Sequence, residues 1–476
     1  MLLRELLQEI GRDVPFGGAE IVSVTDIVEE VRPGSLFVAV EGGRNDGHLL
    51  VRQSLERGAA AVVTGRPTGA EHEIVVEDPR KALSFLCAGF YGHPDRRMKL
   101  IGITGTNGKT TTAEYLKTLL ERTGRRCGVI GTLGCGAGEE RTETGYTTPG
   151  APAFFAALRR MADAGCGYCA AEVSSQALSQ YRVEAATFSL GVLTNLGRDH
   201  LDYHGTPAAY AEAKSRLFRL SEAALLNADD ACLGQMAAAA EGKTCFTYSV
   251  KRRDADFCVT ELWETSEGFD FTVAAAGEKA RLRLLAVCGF TVYNALAAVA
   301  AAALCGVPLR QAAAALDPLP EVKGRMQRIS GGGIAVYIDF AHTPEALSGA
   351  LRGLRRTEGR VITVFGCGGG RDRGKRPRMG RAAAALSDAV IVTSDNPREE
   401  APEAIIGEIL SGVADRDRVT VEPDRERAIT LAVGMARQGD RILIAGKGHE
   451  EYQIVSDQKI PFSDEAVVRR LLGAGR

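Results

Sequence analysis

No stretch of this 476-residue chain is apolar for long enough to cross a bilayer, and neither charge is in surplus. Lysine and arginine number 58 against 60 aspartates and glutamates, a net charge of −2, which argues against a polyanion as the main partner. The opening MLLRELLQEIGRD carries acidic residues where a secretory leader carries basic ones, so a cytoplasmic location is expected. A disulfide framework is missing as well. The 11 cysteines are an odd number scattered through apolar segments, which reads as reduced, buried thiols. CGYC (Cys166 to Cys169) fits the CxxC spacing, but it lies in a strand-like run without a second pair, so neither zinc nor redox chemistry is expected there. Internal repeats and low-complexity tracts are lacking, and alanine-rich runs such as LAAVAAAAL read as helix packing.

What is present is a repeated alternation of strand and helix signals, at a length that accommodates about two to four domains. Residues 1–95 mix short β-type runs (LFVAV, AAVVTG, EIVVED) with helical stretches. Residues 96–328 carry the apolar strands KLIGIT, CGVIGT, GYCAAEV, LGVLTNL and AALLNA. Between them lie helices such as TTAEYLKTLLERTG, with Tyr115, Leu116, Leu119 and Leu120 at helical spacing. Continuous apolar strands separated by helices predict a parallel sheet buried on both faces. Residues 329–476 alternate again through IAVYID, VITVFG, DAVIVT and DRILIAG. Each of these four strands ends in a polar cluster, FAHTPE, CGGGRDRGKR, SDNPREE and KGHEEY. Ligands bind beyond the carboxyl ends of strands in such sheets, so this region is expected to face a substrate.

The segment TGTNGKTTT (104–112) is a glycine loop between the strand KLIGIT and a helix. Backbone N–H groups of Gly105, Thr106, Asn107 and Gly108 and the helix N-terminus suit a phosphate, with Lys109 on the outer phosphates and Thr110 or Thr111 reaching Mg²⁺. The usual first glycine of the motif is replaced by Ile103. Glu172 ends a buried strand, where a carboxylate can hold Mg²⁺ against a nucleotide. TNLGRDHLDYHG adds Asp199, His200, Asp202 and His204, either metal ligands or a hydrogen-bonded turn. Lys214 lies on a helix between apolar neighbours, where a solvated lysine is the ordinary reading.

These segments and NADD, VYNALAA, GRMQRI, DFAHTPEAL, FGCGGGRDRGKRP, DNPR and GKGHE stand in the order of the Mur ligase family, which the chain resembles from about residue 100 to 455. A weaker likeness, PGSLFVAVEGGRNDGH, reaches back to Pro33. The resemblance implies three α/β domains: an N-terminal uridine-nucleotide-binding domain, a central P-loop ATPase-like domain and a C-terminal Rossmann-like amino-acid-binding domain. It implies ATP-dependent ligation of meso-2,6-diaminopimelate to the D-glutamyl γ-carboxylate of UDP-N-acetylmuramoyl-L-alanyl-D-glutamate. The reaction would pass through an acyl phosphate and release ADP and phosphate, in peptidoglycan precursor synthesis. DNPR resembles the diaminopimelate signature of the family, and lysine-adding relatives carry a less basic tetrad.

Position by position, the resemblance implies that Lys109 and Thr110 bind ATP phosphates and Mg²⁺. Glu172 and His200 match ligands of a second Mg²⁺, and Lys214 matches a lysine that relatives carry as a carbamate. Thr147, Thr148, Ser174, Gln180 and Arg182 match contacts to the UDP-muramoyl dipeptide. Asn294, Arg325 and Asp339 match the nucleotide side. Arg371, Asp395, Asn396, Pro397, Arg398, Gly446 and Glu450 match the diaminopimelate side. The chemistry agrees: two guanidinium forks suit a distal carboxylate and Glu450 suits an ammonium, a pairing that lysine cannot complete. A monomer that binds no nucleic acid is implied.

The chain departs from the family in places. TDIVEEVRPG lacks the usual Asp-Ser-Arg, Thr291 and Phe340 stand for Asn and Tyr, and Gln327 stands for Glu. A folylpolyglutamate-synthetase-like ligase shares the ATP motifs but does not need DNPR with GKGHE. A P-loop switch or motor leaves the four strand-end clusters without a task. A dinucleotide-binding reading of GCGGGR fails, because Arg371 stands where a third small residue belongs.

Overall fold

The computed structural model describes residues 1–42, 46–265, 267–356 and 358–473. Residues 43–45, inside the PGSLFVAVEGGRNDGH stretch, lie outside the described residues. Three sheets follow one another along the chain, and a two-stranded hairpin follows the third.

The first sheet has four parallel strands in chain order, Ser23–Thr25, Ser35–Val38, Ala61–Thr64 and Glu73–Val75. Helix Pro79–Phe90 starts at Asp78, whose carboxylate accepts the N–H groups of Arg80 and Lys81. Its apolar face joins a cluster that runs from Leu36 through Leu86 to Phe154 and Leu217. The first sheet and the second therefore share apolar packing.

The second sheet has ten strands. At its centre Lys99–Thr104 lies between Tyr168–Glu172 and Leu190–Leu193, parallel to both. KLIGIT shows why both faces are covered. Ile101 and Ile103 belong to the cluster under helices Lys109–Arg122 and Phe290–Leu304, whereas Leu100 joins the opposite cluster with Phe188 and Leu217. This is the period-two alternation of a strand buried on both sides. Tyr115, Leu116, Leu119 and Leu120 are all buried in the first of these clusters, as their spacing predicts.

Both edges of this sheet differ from the expected parallel alternation, the smaller departure being Gly134–Ala137 antiparallel to Cys127–Gly131. Phe257–Glu264, Phe269–Ala275 and Glu278–Leu284 form an antiparallel extension at one edge. Phe269, Phe271 and Val273 are buried, and polar residues alternate with them, so one face is packed and the other wet.

The third sheet orders its strands Gln327–Gly331, Ile334–Asp339, Arg441–Ala445, Val361–Phe365, Ala389–Val392 and Val419–Val421. Only the first pair is antiparallel. Register levels the carboxyl ends: Asp339 pairs with Ala445, Ala445 with Phe365, and Phe365 with Val392. The four polar clusters expected to face a substrate thus leave the sheet at one height. Arg425 and Asp464, both fully buried, brace this edge with a bidentate pair at 2.8 and 2.9 Å. The same guanidinium donates to the carbonyls of Ser394, which begins one of those loops, and of Ala445, the last strand residue before another.

Candidate active site

The loop 104–112 turns tightly because two glycines permit it. Gly105 has φ +149° and Gly108 φ +86°, and a Cβ would meet Thr194 Oγ1 at 1.9 Å or Asn294 Oδ1 at 2.4 Å. Gly108 caps helix Lys109–Arg122 without a side-chain hydrogen bond, so the first N–H groups of the helix are free to meet an anion. Lys109 Nζ donates to the carbonyls of Gly105 (2.8 Å) and Thr106 (3.0 Å). Burial lowers its pKa, while Glu172 and Asp199 oppose the shift.

Glu172 is 1% exposed and collects donors from several segments. Thr110 Oγ1 donates to Oε2 at 2.9 Å and the Thr132 N–H to Oε1 at 2.7 Å. Burial raises its pKa and Lys109 is the main opposing influence. Arg325 Nη2 donates to Thr110 Oγ1 at 3.0 Å, and its guanidinium lies 4.6 Å from the Phe340 ring. Its Nε is buried without a partner, a donor that calls for an acceptor from a ligand. Asp339 accepts the Met326 N–H at 2.8 Å; burial raises its pKa and Arg325 opposes.

His200 stands at φ +52°, uncommon for a residue with a Cβ, beside Asp199 at 3.4 Å. Burial drops its pKa to about 4, with Asp199 opposing and Lys109 adding to the effect, so the imidazole is neutral near pH 7 and free to act as a ligand. Burial acts to raise the Asp199 pKa, but His342 at 3.5 Å, with His200 and Lys375, holds it well below the usual carboxylate range. Lys214 overturns the ordinary reading of a solvated lysine. It is 1% exposed, donates to the Gly105 carbonyl at 2.8 Å, and lies 4.7 Å from the Tyr210 ring. Burial and the neighbouring Lys109 hold its pKa well below the ordinary value.

Thr147 Oγ1 lies 3.0 Å from Thr132 Oγ1, and Thr148 Oγ1 donates to the Glu172 carbonyl at 2.8 Å. Ser174 donates its N–H to Thr148 Oγ1 at 3.0 Å. Arg182 links Gln180 Oε1 (2.8 Å) to the Thr148 carbonyl (2.6 Å). The five residues matched to the dipeptide therefore form one connected group next to Glu172.

At the third sheet, Arg398 Nη1 donates to the Gly369 carbonyl at 2.8 Å, which ties the DNPR loop to the GCGGGR loop. Arg398 also has φ +52°. Arg371 is half exposed and stands 3.9 Å from Asp202 of the central region, while Arg198 stands 3.5 Å from Asp372. Asn396 Nδ2 donates to Glu450 Oε2 at 2.8 Å. Gly446 has φ +113°, and a Cβ there would stand 2.3 Å from Asp395 Oδ2.

A cavity of about 1520 Å³ joins the two ends. Thr106 to Thr111, Thr147, Glu172, His200, Asn294 and Arg325, which bonds Thr110, line it, as do Asp339, Arg371, Asp395, Asn396, Arg398, Gly446 and Glu450 of the third sheet and its loops. Gly105, Thr148, Ser174, Gln180, Arg182, Lys214 and Pro397 do not line it. Pro397 instead packs its carbonyl where a Cβ of Gly369 would fall.

Two family descriptions match this chain, the Mur ligase middle domain over residues 103–302 and the Mur ligase glutamate ligase domain over 324–448. The UDP-N-acetylmuramoyl-L-alanyl-D-glutamate–2,6-diaminopimelate ligase of Aquifex aeolicus is 40% identical, with 97% of this chain and 95% of that protein aligned. The protein of the same name from Listeria monocytogenes is 38% identical over 98% of each. A solved structure of a ligase with that name superposes with a TM-score of 0.73 at 33% identity, covering 100% of this chain and 99% of the other. The chain belongs to the Mur ligase family.

Three features of this Mur ligase escape sequence reasoning. Asp26, in the divergent TDIVEEVRPG, is half-buried and feels Arg80 and Arg182; burial raises its pKa, and its own backbone N–H and the two arginines oppose. Arg376 is fully buried and binds Glu400 (2.8 Å) and Glu408 (2.9 Å), fixing the loop that carries Arg371. Lys447, inside GKGHE, is also fully buried. Glu41, Asp46 and His48 cluster closely, but Asp46 engages His48 Nδ1 (2.7 Å) and the Gly65 N–H donates to Nε2 (2.9 Å), so the ring has no nitrogen left for a metal.

Proposed function

We propose that this Mur ligase joins meso-2,6-diaminopimelate to the D-glutamyl γ-carboxylate of UDP-N-acetylmuramoyl-L-alanyl-D-glutamate at the expense of ATP. The observation that carries this reading is one cavity with a phosphate cradle around Lys109 at one side and Arg371, Arg398 and Glu450 at the other. The names of relatives that align over nearly the whole chain support it. We assign residues 1–95 to the UDP-substrate domain, 96–328 to the ATP domain and 329–476 to the amino-acid domain, in a cytoplasmic monomer.

Lys109 and the uncapped helix start hold the ATP phosphates, and Arg325 reaches the same point from the linker through Thr110. Thr110 offers a hydroxyl oxygen to a Mg²⁺ that would neutralise charge on the transferred phosphoryl group when bound. A second Mg²⁺ is assigned to Glu172, His200 and Lys214 as a carbamate. The depressed pKa of Lys214 supports this, because only a neutral amine adds CO₂. Thr147, which lines the cavity, and Thr148, Ser174, Gln180 and Arg182 beside it are assigned to orient the dipeptide, so that its carboxylate takes the γ-phosphoryl group of ATP, ADP leaves and an acyl phosphate results. The diaminopimelate amine, held by the opposite wall, attacks that carbonyl, and phosphate leaves. Positioning and charge neutralisation supply most of the rate.

The test is ATP-dependent ligation with meso-diaminopimelate and L-lysine in parallel. Diaminopimelate should be preferred by a factor on the order of 10³, since lysine leaves guanidinium donors unpaired. Equal use of lysine would refute the assignment.

A further inference from the structure

Lys447 does not line the cavity, and its side chain is completely buried, an expensive place for an ammonium group unless it is paired. It is paired twice. Its Nζ donates to Glu450 Oε2 at 2.9 Å and to Asn396 Oδ1 at 3.1 Å. Asn396 Nδ2 donates to the same Glu450 Oε2 at 2.8 Å, and the Ile454 N–H donates to Asn396 Oδ1 at 2.9 Å. The consequences follow from counting lone pairs. Asn396 Oδ1 has two donors and is full, so only its second N–H is available to a ligand. Glu450 Oε2 likewise has two donors. Oε1 has no hydrogen-bond partner among the described residues, and Glu450 lines the cavity.

We infer that Lys447 is a positioning residue for the amino-acid substrate: from beneath the wall it holds Glu450 so that Oε1 is offered, and together with the Ile454 N–H it keeps Asn396 turned so that it offers a donor. An acceptor beside a donor, next to Arg398, is complementary to a zwitterionic end bearing an ammonium and a carboxylate. Lys447 also cancels the charge of Glu450, so the arginines dominate the recess and favour a substrate with an additional carboxylate. This inference rests on the proposed amino-acid role of Glu450 and Asn396.

The test uses the full chain and Lys447→Met, which strands no acceptor, because Oε2 keeps Asn396 and Oδ1 keeps Ile454. The KM for meso-diaminopimelate should rise by about tenfold or more, the loss of one buried charged partner, while the KM for ATP stays within about twofold. The preference over lysine should narrow, since the uncancelled Glu450 charge penalises the extra carboxylate. In a Glu450→Gln background the same substitution should change the diaminopimelate KM by less than about threefold, as expected for residues acting as a unit. Lys447→Gln, which keeps one donor, should fall between and covers the case in which the methionine variant does not fold. A wild type that ligates neither amino acid refutes the proposed function itself. An active wild type with an unchanged diaminopimelate KM in Lys447→Met overturns the inference. So does an equal rise in the KM for ATP, or an undiminished effect in the Glu450→Gln background.

Discussion

The two walls of the cavity are built on different plans. The proposed phosphate wall starts from one local segment: Gly105, Gly108, Lys109 and Thr110 sit within six residues, and Lys109 bonds the Gly105 and Thr106 carbonyls inside it, with Thr110 alone reaching out to Glu172 and Arg325 by its side chain. The proposed amino-acid wall is assembled: Arg371, Asn396, Arg398 and Glu450 come from three loops and are held by partners tens of residues away. Recognising phosphate needs N–H groups and positive charge, which one turn and one helix end provide. Discriminating between two amino acids needs a donor, an acceptor and a fork at fixed separations, which only several strand ends at one height provide.

The contrast makes predictions, of which the largest concerns Lys214. This lysine stands 109 residues beyond Gly105 in the chain, yet its Nζ donates to the Gly105 carbonyl and so reaches into the phosphate loop. Lys214→Ala should lower turnover at saturating Mg²⁺ by at least about 10³-fold if the side chain supplies a charge to the reacting centre. Added formate or acetate should restore part of the activity. Wild-type rates without the additive would show that the phosphate wall is as local as its motif.

The next effect is on stability, at the assembled wall. Asp464→Ala leaves Arg425 fully buried without its partner, which should cost about 3 kcal/mol in urea denaturation. The same variant should bind amino acid less well, because Arg425 also holds the Ser394 and Ala445 carbonyls. An unchanged denaturation midpoint would mean that the loops keep their height without this brace.

The smallest effect is on pH dependence. Burial, with Arg325, Lys323 and Lys447 nearby, drops the His449 pKa to about 3, below the ordinary 6.5. A depressed histidine is fully compatible with folding above the unfolded pKa. Below it, the unfolded chain takes up a proton that the folded chain refuses, so stability is lost as pH falls from about 6.5 toward 3. His449→Gln should flatten this acid limb by on the order of 1 kcal/mol, discounted for partial exposure, in denaturation curves at about pH 7 and about pH 5. An identical limb would leave the acid loss to the other depressed histidines, His200 and His204 of the central region.

By itself the sequence determined most of the order of strands and helices, the tight glycine turn at 104–112 and the four polar strand ends. Each of these is written in contiguous residues: a two-residue or 3.6-residue period, or a glycine at a turn that a Cβ would block. The antiparallel extension from Phe257 to Leu284 escaped that reading, because a half-wet sheet edge has weaker apolar contrast than the doubly covered strands beside it. Only the tertiary structure decided which charges are buried. Lys214 among apolar helix neighbours and Arg425 with Asp464 give no local signal, since their partners lie 109 and 39 residues away, and the pairing of Lys447 with nearby Glu450 is completed only by Asn396, 51 residues away. A buried charge is defined by what folds around it, and no run of neighbours in the chain contains that information.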